Sequence, residues 1–432
     1  VGAAGAKPDT KVVVEITKYP EPGQLPVGVI VEEIGPAGPL ATETRGIILA
    51  HGLPEEFSEE VLAEARAAVA SFDAEKADGR EDLTGLTIIT IDPDTARDYD
   101  DAISIQINAD NTWTAGIHIA DVSHFVPEGG ALDDSARSRA TSVYFPRKVI
   151  PMLPEVLSNG VCSLQEGVKR FCKSAFITYD KDAKVVKTRV AESVICSTKR
   201  LTYTQAQDIC DGKSDGFASE VVELIKNMED LARRIQSRRE RGGMLRLDLH
   251  DVELVLDDQD EVIDVEPEDD AYTHTIIEML MVEANEAVAR LFDSLDRPVL
   301  RRVHPAPDPQ GEKKFKTFVR AAGHKIPANL TVKDMQDLLA SVAGKPESKA
   351  VNLALLKTMQ RAEYSPMEIG HFALASDAYC HFTSPIRRYP DLTVHRMIAA
   401  HCRGELAKRP PEDVSALVTL AEACTSASER AE

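Results

Sequence analysis

Apolar and polar residues alternate in a way that predicts a sheet interrupted by a polar loop. The run 86–91 places apolar residues on one face with a period of two, as in a strand. Pro93 has no backbone N–H to donate to a neighbour, so the strand should end near Asp92. Strand patterns resume over 102–107 and 113–122. The segment between them is expected to be a loop on a rigid scaffold, where functional residues are common.

Other periodicities predict further elements and a mixture of strands and helices. Helical spacing of apolar residues predicts long helices near 220–240 and 272–292. In the second helix, Glu278 and Asn285 lie on one flank that either faces a cleft or is solvated. Ser58 is a suitable N-cap for a helix in a linker. The other strand-like stretches are 11–20, 25–35 and 44–54, interpreted as the tail of a small β domain, together with 171–198 and a ribbon at 245–266.

The loop after the first strand reads DPDTARDYDD and holds five carboxylates in the ten residues Asp92–Asp101. Carboxylates held close together repel and raise one another's pKa unless a hard cation such as Mg²⁺ or Mn²⁺ offsets the charge. Acidic surface loops are also common, because Asp is a favoured turn residue. The spacing alone leaves the metal site and the plain surface loop open.

Two further segments carry candidate chemistry. Over 371–396, Arg387 and Arg388 come just before a helix that Pro390 should begin. Paired guanidinium groups there suit phosphate oxygens, although a bond to a buried carboxylate is the alternative. Over 140–164 the pattern is irregular, and Tyr144 is either a core residue or a surface on which nucleic-acid bases stack.

Composition bounds the class of protein. The chain has 432 residues, of which 43% are hydrophobic and 28% charged, enough for a large core. The net charge of −21 argues against a nonspecific polyanion binder, while a local basic channel stays possible. Seven cysteines without a C-x-x-C pair indicate a reducing compartment and buried thiols.

The sequence also bears on location and completeness. Its first residues lack the features of a signal peptide, and no stretch is apolar for the ~18 residues of a membrane span, so a cytoplasmic protein without a membrane partner is expected. Nothing in the sequence indicates an obligate protein partner. Val1 is not an initiator Met, and 421–432 has a helical pattern without a stop signal, so we expect a piece of a longer protein.

Together these segments resemble one family, the catalytic (RNB) domain shared by ribonuclease II and ribonuclease R, with the ribonuclease R branch nearer. The resemblance runs from about Leu83 to the end of the chain, and a looser match upstream covers the second cold-shock-type OB domain. The motifs that carry it are TIDPDTARDYDDAISI (Thr90–Ile105), HIADVSHFV (His118–Val126), TSVYFPRKVIPMLPEVLSNGVCSL (Thr141–Leu164) and HFTSPIRRYPDLTVHR (His381–Arg396).

The resemblance implies an α+β fold, with a central mixed or antiparallel sheet wrapped by helices and preceded by part of an OB-type β-barrel. Residues 1–50 would be that partial barrel, 51–82 a helical linker and 83–432 the catalytic domain. The C-terminal end would be truncated, and the family's C-terminal OB-type domain would be missing. Because those OB domains grip RNA electrostatically, their absence should weaken affinity more than the chemical step.

The implied activity is processive, hydrolytic 3′→5′ degradation of single-stranded RNA to nucleoside 5′-monophosphates with Mg²⁺, or Mn²⁺. Asp100 would orient the attacking water or manage its proton, and Arg387 would stabilise charge on the scissile phosphate. Tyr144 would stack at the 3′-terminal nucleotide, and Glu278 would lie near the terminal ribose. The implied site residues are, for metal, Asp92, Asp98 and Asp101; for catalysis, Asp100 and Arg387; for RNA, Tyr144, Glu278 and Arg388.

Three alternatives compete with this interpretation. A silent RNA-binding protein with the same fold would not need the four aspartates and the arginine, yet all are present. An aspartate-nucleophile phosphatase would use Asp92 and Asp94, but that motif explains neither the later aspartates nor Arg387. A nuclease acting on DNA would differ only in the ribose contacts. The ribbon 245–249 lacks a second stacking aromatic, and Asp94, which has no family counterpart, is expected to be a turn residue.

Overall fold

The computed structural model describes residues 6–77, 79–249, 252–257, 260–267, 269 and 271–432. Parts of the predicted barrel (1–5), linker (78) and ribbon (250, 251, 258 and 259) lie outside them. The strands are β1 (Thr10–Lys18), β2 (Val27–Pro36), β3 (Glu81–Asp82), β4 (Ile89–Asp92), β5 (Asp101–Ile107), β6 (Trp113–Ala120), β7 (Val143–Phe145), β8 (Lys148–Ile150), β9 (Lys169–Tyr179), β10 (Val185–Cys196), β11 (Lys199–Thr202), β12 (Val252–Leu256), β13 (Val262–Pro267), β14 (Arg301–Val303) and β15 (Glu363–Ser365).

The helices are interspersed among these strands. The α-helices are α1 (Leu40–Ala50), α2 (Glu59–Ser71), α3 (Val122–Phe125), α4 (Ala131–Arg139), α5 (Tyr203–Cys210), α6 (Ser219–Arg241), α7 (Tyr272–Ser294), α8 (Pro309–Ala321), α9 (Val332–Val342), α10 (Ser348–Leu356), α11 (Tyr389–Cys402) and α12 (Val414–Ala431). A π-helical turn spans Val156–Val161, and 3₁₀ turns span Phe372–Leu374 and Leu406–Lys408. Among the described residues, no helix is both long and apolar enough to cross a bilayer.

A seven-stranded sheet organises the large part of the chain, in the order β11-β4-β5-β6-β9-β10-β3. Neighbours from β4 to β10 are antiparallel, whereas the edge strands β11 and β3 pair in parallel. The predicted α+β class with a central mixed sheet is confirmed. The parallel pairing of β11 with β4 sets Thr202 opposite Asp92, at the end of β4 where the acidic segment begins.

The main hydrophobic core lies between this sheet and helices α5, α6, α7 and α11. Helix α7 buries Ile277, Leu280, Ala284 and Val288 on one face, as the helical spacing predicts. Full burial of an isoleucine, leucine or valine side chain contributes about 1.5–3 kcal/mol before entropy costs. The sheet is therefore a rigid base for the loops at its edges.

The chain divides into two units. The small unit contains the chain up to Phe57, Val143–Ile150 and the described part of 250–269, and the large unit contains the rest. In the small unit, β1 pairs with β2, and β7–β8 and β12–β13 form two-stranded ribbons. The large unit holds the seven-stranded sheet and its helices.

Several predicted elements are corrected. The stretch 44–54 was expected to be a strand, but Leu40–Ala50 is helix α1, which buries Thr44 and Ile48 four residues apart on one face. A short apolar run fits a strand or a helix equally well, so its period does not decide. The ribbon predicted from 245 begins at β12 instead, and the supposedly irregular 140–164 includes the β7–β8 hairpin. The thiols are mostly buried, but Cys402 is exposed.

Candidate active site

The segment 92–101, which we call the acid loop, joins two neighbouring strands. All residues of β4 are buried up to Asp92, where the strand ends as predicted, and β5 begins at Asp101. Because β4 and β5 are antiparallel neighbours, these two aspartates lie at the same edge of the sheet. The Tyr99 N–H donates to Ser163 Oγ at 3.1 Å, which fixes the middle of the loop.

The acid loop carries buried carboxylates. Asp92 and Asp100 are only 9% and 5% exposed, and Asp98 and Asp101 are partly buried. Asp92 Oδ2 is buried and receives no hydrogen bond from the described residues. A buried carboxylate oxygen without a donor is costly. The position therefore favours a ligand that brings positive charge.

Burial and mutual repulsion shift the pKa values of these acids. Burial, reinforced by repulsion from the Asp101 carboxylate, raises the pKa of Asp92 to about 8. Burial also raises the pKa of Asp101 to about 6, although the Arg387 guanidinium opposes the shift. The pKa of Asp100 lies well above its usual range, again mainly through burial and against the effects of Arg387 and the Ile386 N–H. A bound cation would reverse these shifts.

The donor set suits a hard cation. Aspartate oxygens are the ligands that Mg²⁺ and Mn²⁺ prefer, and the unpartnered oxygen of Asp92 is available to such an ion. Within the described residues, no group of three or more His, Cys, Asp or Glu side chains converges closely enough to hold a metal. Mg²⁺ usually keeps several waters and takes one or two carboxylates together with substrate phosphates, so the acid loop fits this mode of binding. The three-aspartate ligand set stays a prediction.

A turn over 384–388 brings an arginine to the acid loop. The Ile386 N–H donates to Asp100 Oδ1 at 3.0 Å. Arg387 Nε lies 3.8 Å from Asp100 Oδ2, and another nitrogen of its guanidinium donates to Ser384 Oγ at 3.1 Å. The Arg387 side chain is 47% exposed, so an anion in solvent has access to it. Asp100 and Arg387, which are far apart in sequence, thus form one site.

Arg388 has a different environment. Its guanidinium donates to Asp391 Oδ1 at 2.8 Å, and the same oxygen accepts the Ser384 N–H at 2.8 Å. Burial lowers the pKa of Arg388, but Asp391 more than offsets this and raises it overall. Pro390 lies in the first turn of α11, as predicted. The sequence left open whether an arginine here binds a phosphate or a buried carboxylate, and Arg388 makes the carboxylate bond.

Glu278 lies on α7, and its side chain is accessible to solvent. Protein nonetheless surrounds the carboxyl on most sides and raises its pKa by desolvation, against the effects of Arg246 and Arg239. The carboxyl is therefore partly desolvated, and the contact of Glu278 with a terminal ribose stays a prediction. Asn285 instead is buried, where its side chain bonds the Tyr379 hydroxyl and the Phe382 N–H.

Tyr144 lies on β7 in the small unit. Its side chain is 50% exposed, so the ring offers surface for stacking. The neighbouring Arg147 is bound to Asp260 at 3.1 Å, and Lys148 is paired with Glu55, all within the small unit. The stacking of Tyr144 on a terminal nucleotide stays a prediction.

Asp94 is a turn residue, as expected. Its side chain is 88% exposed and lies 3.7 Å from Arg200, whereas Asp92 is buried. An aspartate-nucleophile phosphatase needs both carboxylates of its Asp-x-Asp motif at the reacting phosphate. The difference in burial argues against that alternative.

Comparison with protein families decides the relationship. The model of the RNB domain matches residues 80–404, well over half of the chain. The chain belongs to the RNB-domain family. A cold shock domain model matches residues 2–58. The predicted family is confirmed, while the domain boundaries at 50 and 82 stay predictions.

Individual RNB-family relatives are long proteins. Ribonuclease R of Thermotoga maritima is 42% identical over 404 residues, which cover 91% of this chain and 56% of the relative. Ribonuclease R of Escherichia coli K12 is 35% identical over 400 residues, covering 91% and 49%. The chain thus spans about half the length of these relatives. The structure of Mycoplasma genitalium RNase R in complex with ribose-methylated single-stranded RNA is 28% identical, with a TM-score of 0.90, and covers 99% of this chain and 68% of that chain.

Sequence reasoning missed one aromatic pair beside the acids of the RNB domain. The Tyr203 ring stacks on His274 with centroids 3.8 Å apart. The Tyr203 pKa is raised, first by burial and then by the charges of Asp101 and Asp92, so its hydroxyl stays neutral near the acid loop. His274 is one helical turn before Glu278 on α7. Tyr203 comes directly after β11, whose parallel pairing with β4 is a long-range contact that no local pattern reveals.

Proposed function

We propose that the RNB domain of this chain is a hydrolytic 3′→5′ exoribonuclease that degrades single-stranded RNA processively to nucleoside 5′-monophosphates. The observation that carries the proposal is the set of desolvated carboxylates with raised pKa values, Asp92, Asp100 and Asp101, beside the accessible guanidinium of Arg387. The curated relatives are ribonucleases R, and the solved RNase R neighbour is a complex with single-stranded RNA, which supports RNA as the substrate.

Mg²⁺, or Mn²⁺ in its place, would be held by Asp92, Asp98 and Asp101. The buried, unpartnered oxygen of Asp92 supports this assignment. When bound, such an ion lowers the pKa of a coordinated water and offsets charge on a phosphate. Strand β4 ends at Asp92 and strand β5 begins at Asp101, so the sheet fixes the positions of these two carboxylates.

Asp100 is the group proposed to orient the attacking water and take its proton. One of its oxygens accepts the Ile386 N–H, which fixes the direction of the carboxyl group. Its raised pKa makes it a stronger proton acceptor than an ordinary aspartate. Geometry and basicity therefore both suit this role.

Arg387 is proposed to bind the scissile phosphate. A guanidinium donates two parallel hydrogen bonds to phosphate oxygens and stabilises charge that develops on them. The Arg387 side chain is half exposed beside Asp100, so it reaches both solvent and the acid loop. Tyr144 would stack on the 3′-terminal nucleotide and Glu278 would contact its ribose, while Arg388 would add a phosphate contact only through N–H groups that Asp391 leaves available.

The test incubates the chain with 5′-labelled single-stranded RNA or the matching DNA, in Mg²⁺ or in EDTA. Asp100→Asn is compared with Asp94→Asn, a matched control because Asp94 is an exposed aspartate of the same loop. We expect Mg²⁺-dependent shortening of RNA from the 3′ end, lost in Asp100→Asn and retained in Asp94→Asn. Full activity of Asp100→Asn would contradict the proposed role of that residue.

Two other outcomes separate the alternatives. Equal shortening of DNA would show that the ribose contacts do not select RNA. RNA that is bound but stays intact in every condition would favour a silent RNA-binding protein with the same fold.

A further inference from the structure

A cavity of about 720 Å³ shares a wall with the acid loop. Arg97 and Tyr99 line this cavity. They alternate along the chain with Asp98 and Asp100, and the charge of Asp98 raises the pKa values of Asp92 and Asp100. One short segment therefore borders both the candidate active site and the cavity.

The lining of the cavity can bind an anion. The Arg97 side chain is exposed and, among the described residues, forms neither a hydrogen bond nor an ion pair. The Arg200 guanidinium lies 5.6 Å from the centre of the Tyr99 ring and donates to the Pro93 carbonyl at 2.6 Å. Its Nε is buried and has no hydrogen-bond partner in the described part of the chain. A further nitrogen of this guanidinium lies 3.7 Å from Asp94. Arg97 therefore offers its donors to a phosphate, and Arg200 adds positive charge beside it.

The same lining also suits an aromatic base. The Tyr99 ring supplies a face for stacking, and the side-chain N–H groups of Asn159 can donate to a polar base edge. The Gln165 amide instead donates to the Asn159 carbonyl at 3.0 Å and accepts from Arg170 at 3.3 Å, so it helps to hold that wall of the cavity. The volume falls within the range of roughly 300–1,000 Å³ typical of small-molecule sites. A nucleotide combines these requirements, because it has one phosphate and one base.

We propose that this cavity binds a nucleoside 5′-monophosphate, the product released on the other side of the shared wall. The identity of the ligand as the product rests on the proposed exoribonuclease function.

Two glutamates line the cavity and affect this binding differently. The Glu166 carboxylate already accepts hydrogen bonds from Lys199 Nζ at 3.1 Å and from the Arg200 N–H at 3.0 Å, so its charge is offset. Glu155 is exposed and opposes an anionic ligand through its charge. This difference supplies a substitution that should strengthen binding.

The experiment titrates the chain with adenosine 5′-monophosphate by calorimetry in EDTA, which removes cations from the acid loop. Adenosine and inorganic phosphate are titrated separately, because adenosine has the base without the phosphate and inorganic phosphate has no base. Arg97→Gln should weaken binding of the monophosphate about 10-fold through loss of a charged hydrogen bond. Glu155→Gln should strengthen it about 2-fold, and Arg66→Gln, an exposed arginine of α2, should change nothing.

The opposite signs keep the result interpretable, since a folding defect in Arg97→Gln would not explain tighter binding by Glu155→Gln. Absence of monophosphate binding, or equal affinities in all four proteins, would overturn the proposal. Inorganic phosphate that binds as tightly as the monophosphate would overturn the base contact. RNA degradation without monophosphate binding would refute only this inference, whereas monophosphate binding without RNA degradation would refute the proposed function.

Discussion

The acid loop and a second buried charge cluster differ in how their carboxylates are paired. The second cluster, which we call the charge network, consists of Arg80, Asp121, Lys173, Glu192 and Arg403. Lys173 Nζ lies 2.7 Å from both carboxylates of the network, and the Arg80 guanidinium lies 2.7 Å from Asp121. The Arg403 guanidinium lies 2.9 Å from Glu192. The network therefore neutralises its acids with cations of the chain, whereas the acid loop leaves a buried oxygen without a donor.

The pKa values express this difference. Burial alone would raise the pKa of Asp121, but Lys173 and Arg80 outweigh it and hold the pKa far below its usual range. In the acid loop, burial and repulsion prevail and raise the pKa of Asp92 to about 8. Both clusters contain buried carboxylates. Internal cations offset the burial of the acids in the charge network but not in the acid loop, so only the acid loop favours an external cation.

The largest expected effect is the loss of the network's central cation. Lys173→Met should lower the free energy of unfolding by about 3–5 kcal/mol, because it leaves two buried carboxylates without their shared partner. Urea denaturation measures this loss. Lys169→Met is the matched control, since Lys169 lies on the same strand with an exposed side chain and should leave the midpoint unchanged. Similar midpoints for both variants would contradict the account of the network.

The next effect concerns the accessible arginine beside the acid loop. Arg387→Lys should lower the rate of RNA cleavage about 10²–10³-fold, because an ammonium does not reproduce the forked donor that stabilises phosphate charge. The unfolding midpoint should stay unchanged, since the side chain is half exposed. Arg361→Lys, at an exposed arginine, serves as the control and should retain the rate. Unaltered cleavage by Arg387→Lys would remove that residue from the site.

The pH dependence of stability should have opposite signs in the two clusters. Asp92 has a raised pKa, so its contribution to stability is present below pH 4 and is lost as pH rises towards about 8. Asp121 has a lowered pKa and loses its contribution only in strong acid. Between pH 5 and 8 in EDTA, wild type should therefore lose roughly 1–3 kcal/mol relative to Asp92→Asn.

Denaturation curves of both proteins at several pH values measure this difference. Buried histidines such as His118, whose pKa burial lowers to about 3, change stability equally in both proteins and cancel in the comparison. A constant difference from pH 5 to 8 would show that Asp92 does not hold a proton in the folded state. Mg²⁺ should reduce the difference by stabilising the ionised form.

The smallest effect is expected at Asp94, an exposed aspartate of the acid loop. Asp94→Asn should change the cleavage rate by less than about 2-fold and the temperature of the unfolding midpoint by less than about one degree. The reason is that an exposed ion pair contributes little to stability. Steady-state kinetics and thermal unfolding are sufficient to measure both. A large loss of cleavage would mean that the activity depends on the total negative charge of the acid loop, rather than on its buried carboxylates.

Local signals in the sequence predicted much of the site. Pro93 ends β4 at Asp92, Ser58 caps α2 by accepting the Val61 N–H, and Pro390 lies in the first turn of α11. Each of these residues acts on its own neighbours, so one sequence suffices to place it. The roles expected for the four aspartates and for Arg387 came from the family resemblance. Only the structure shows that Arg387 lies next to Asp100, although the two residues are far apart in sequence.

Long-range contacts account for what was missed. Tyr203 is near the acids because β11 pairs in parallel with β4, although about a hundred residues separate these strands. Arg388 binds a buried carboxylate because α11 presents Asp391 to the same turn. The mistaken strand at 44–54 shows that a short apolar run does not distinguish a strand from a helix.

The central claim is that internal cations do not offset the burial of the acids in the loop, so that these acids bind an external cation. Calorimetric titration of Mg²⁺ at pH 7, in buffers of different ionisation enthalpy, measures binding and proton release together. Because Asp92 has a pKa of about 8, it should hold a proton before the cation binds. We predict release of about one proton per Mg²⁺ from wild type, and much weaker binding with less proton release from Asp92→Asn. Equal Mg²⁺ affinity in the two proteins, with no proton released by either, would contradict the account.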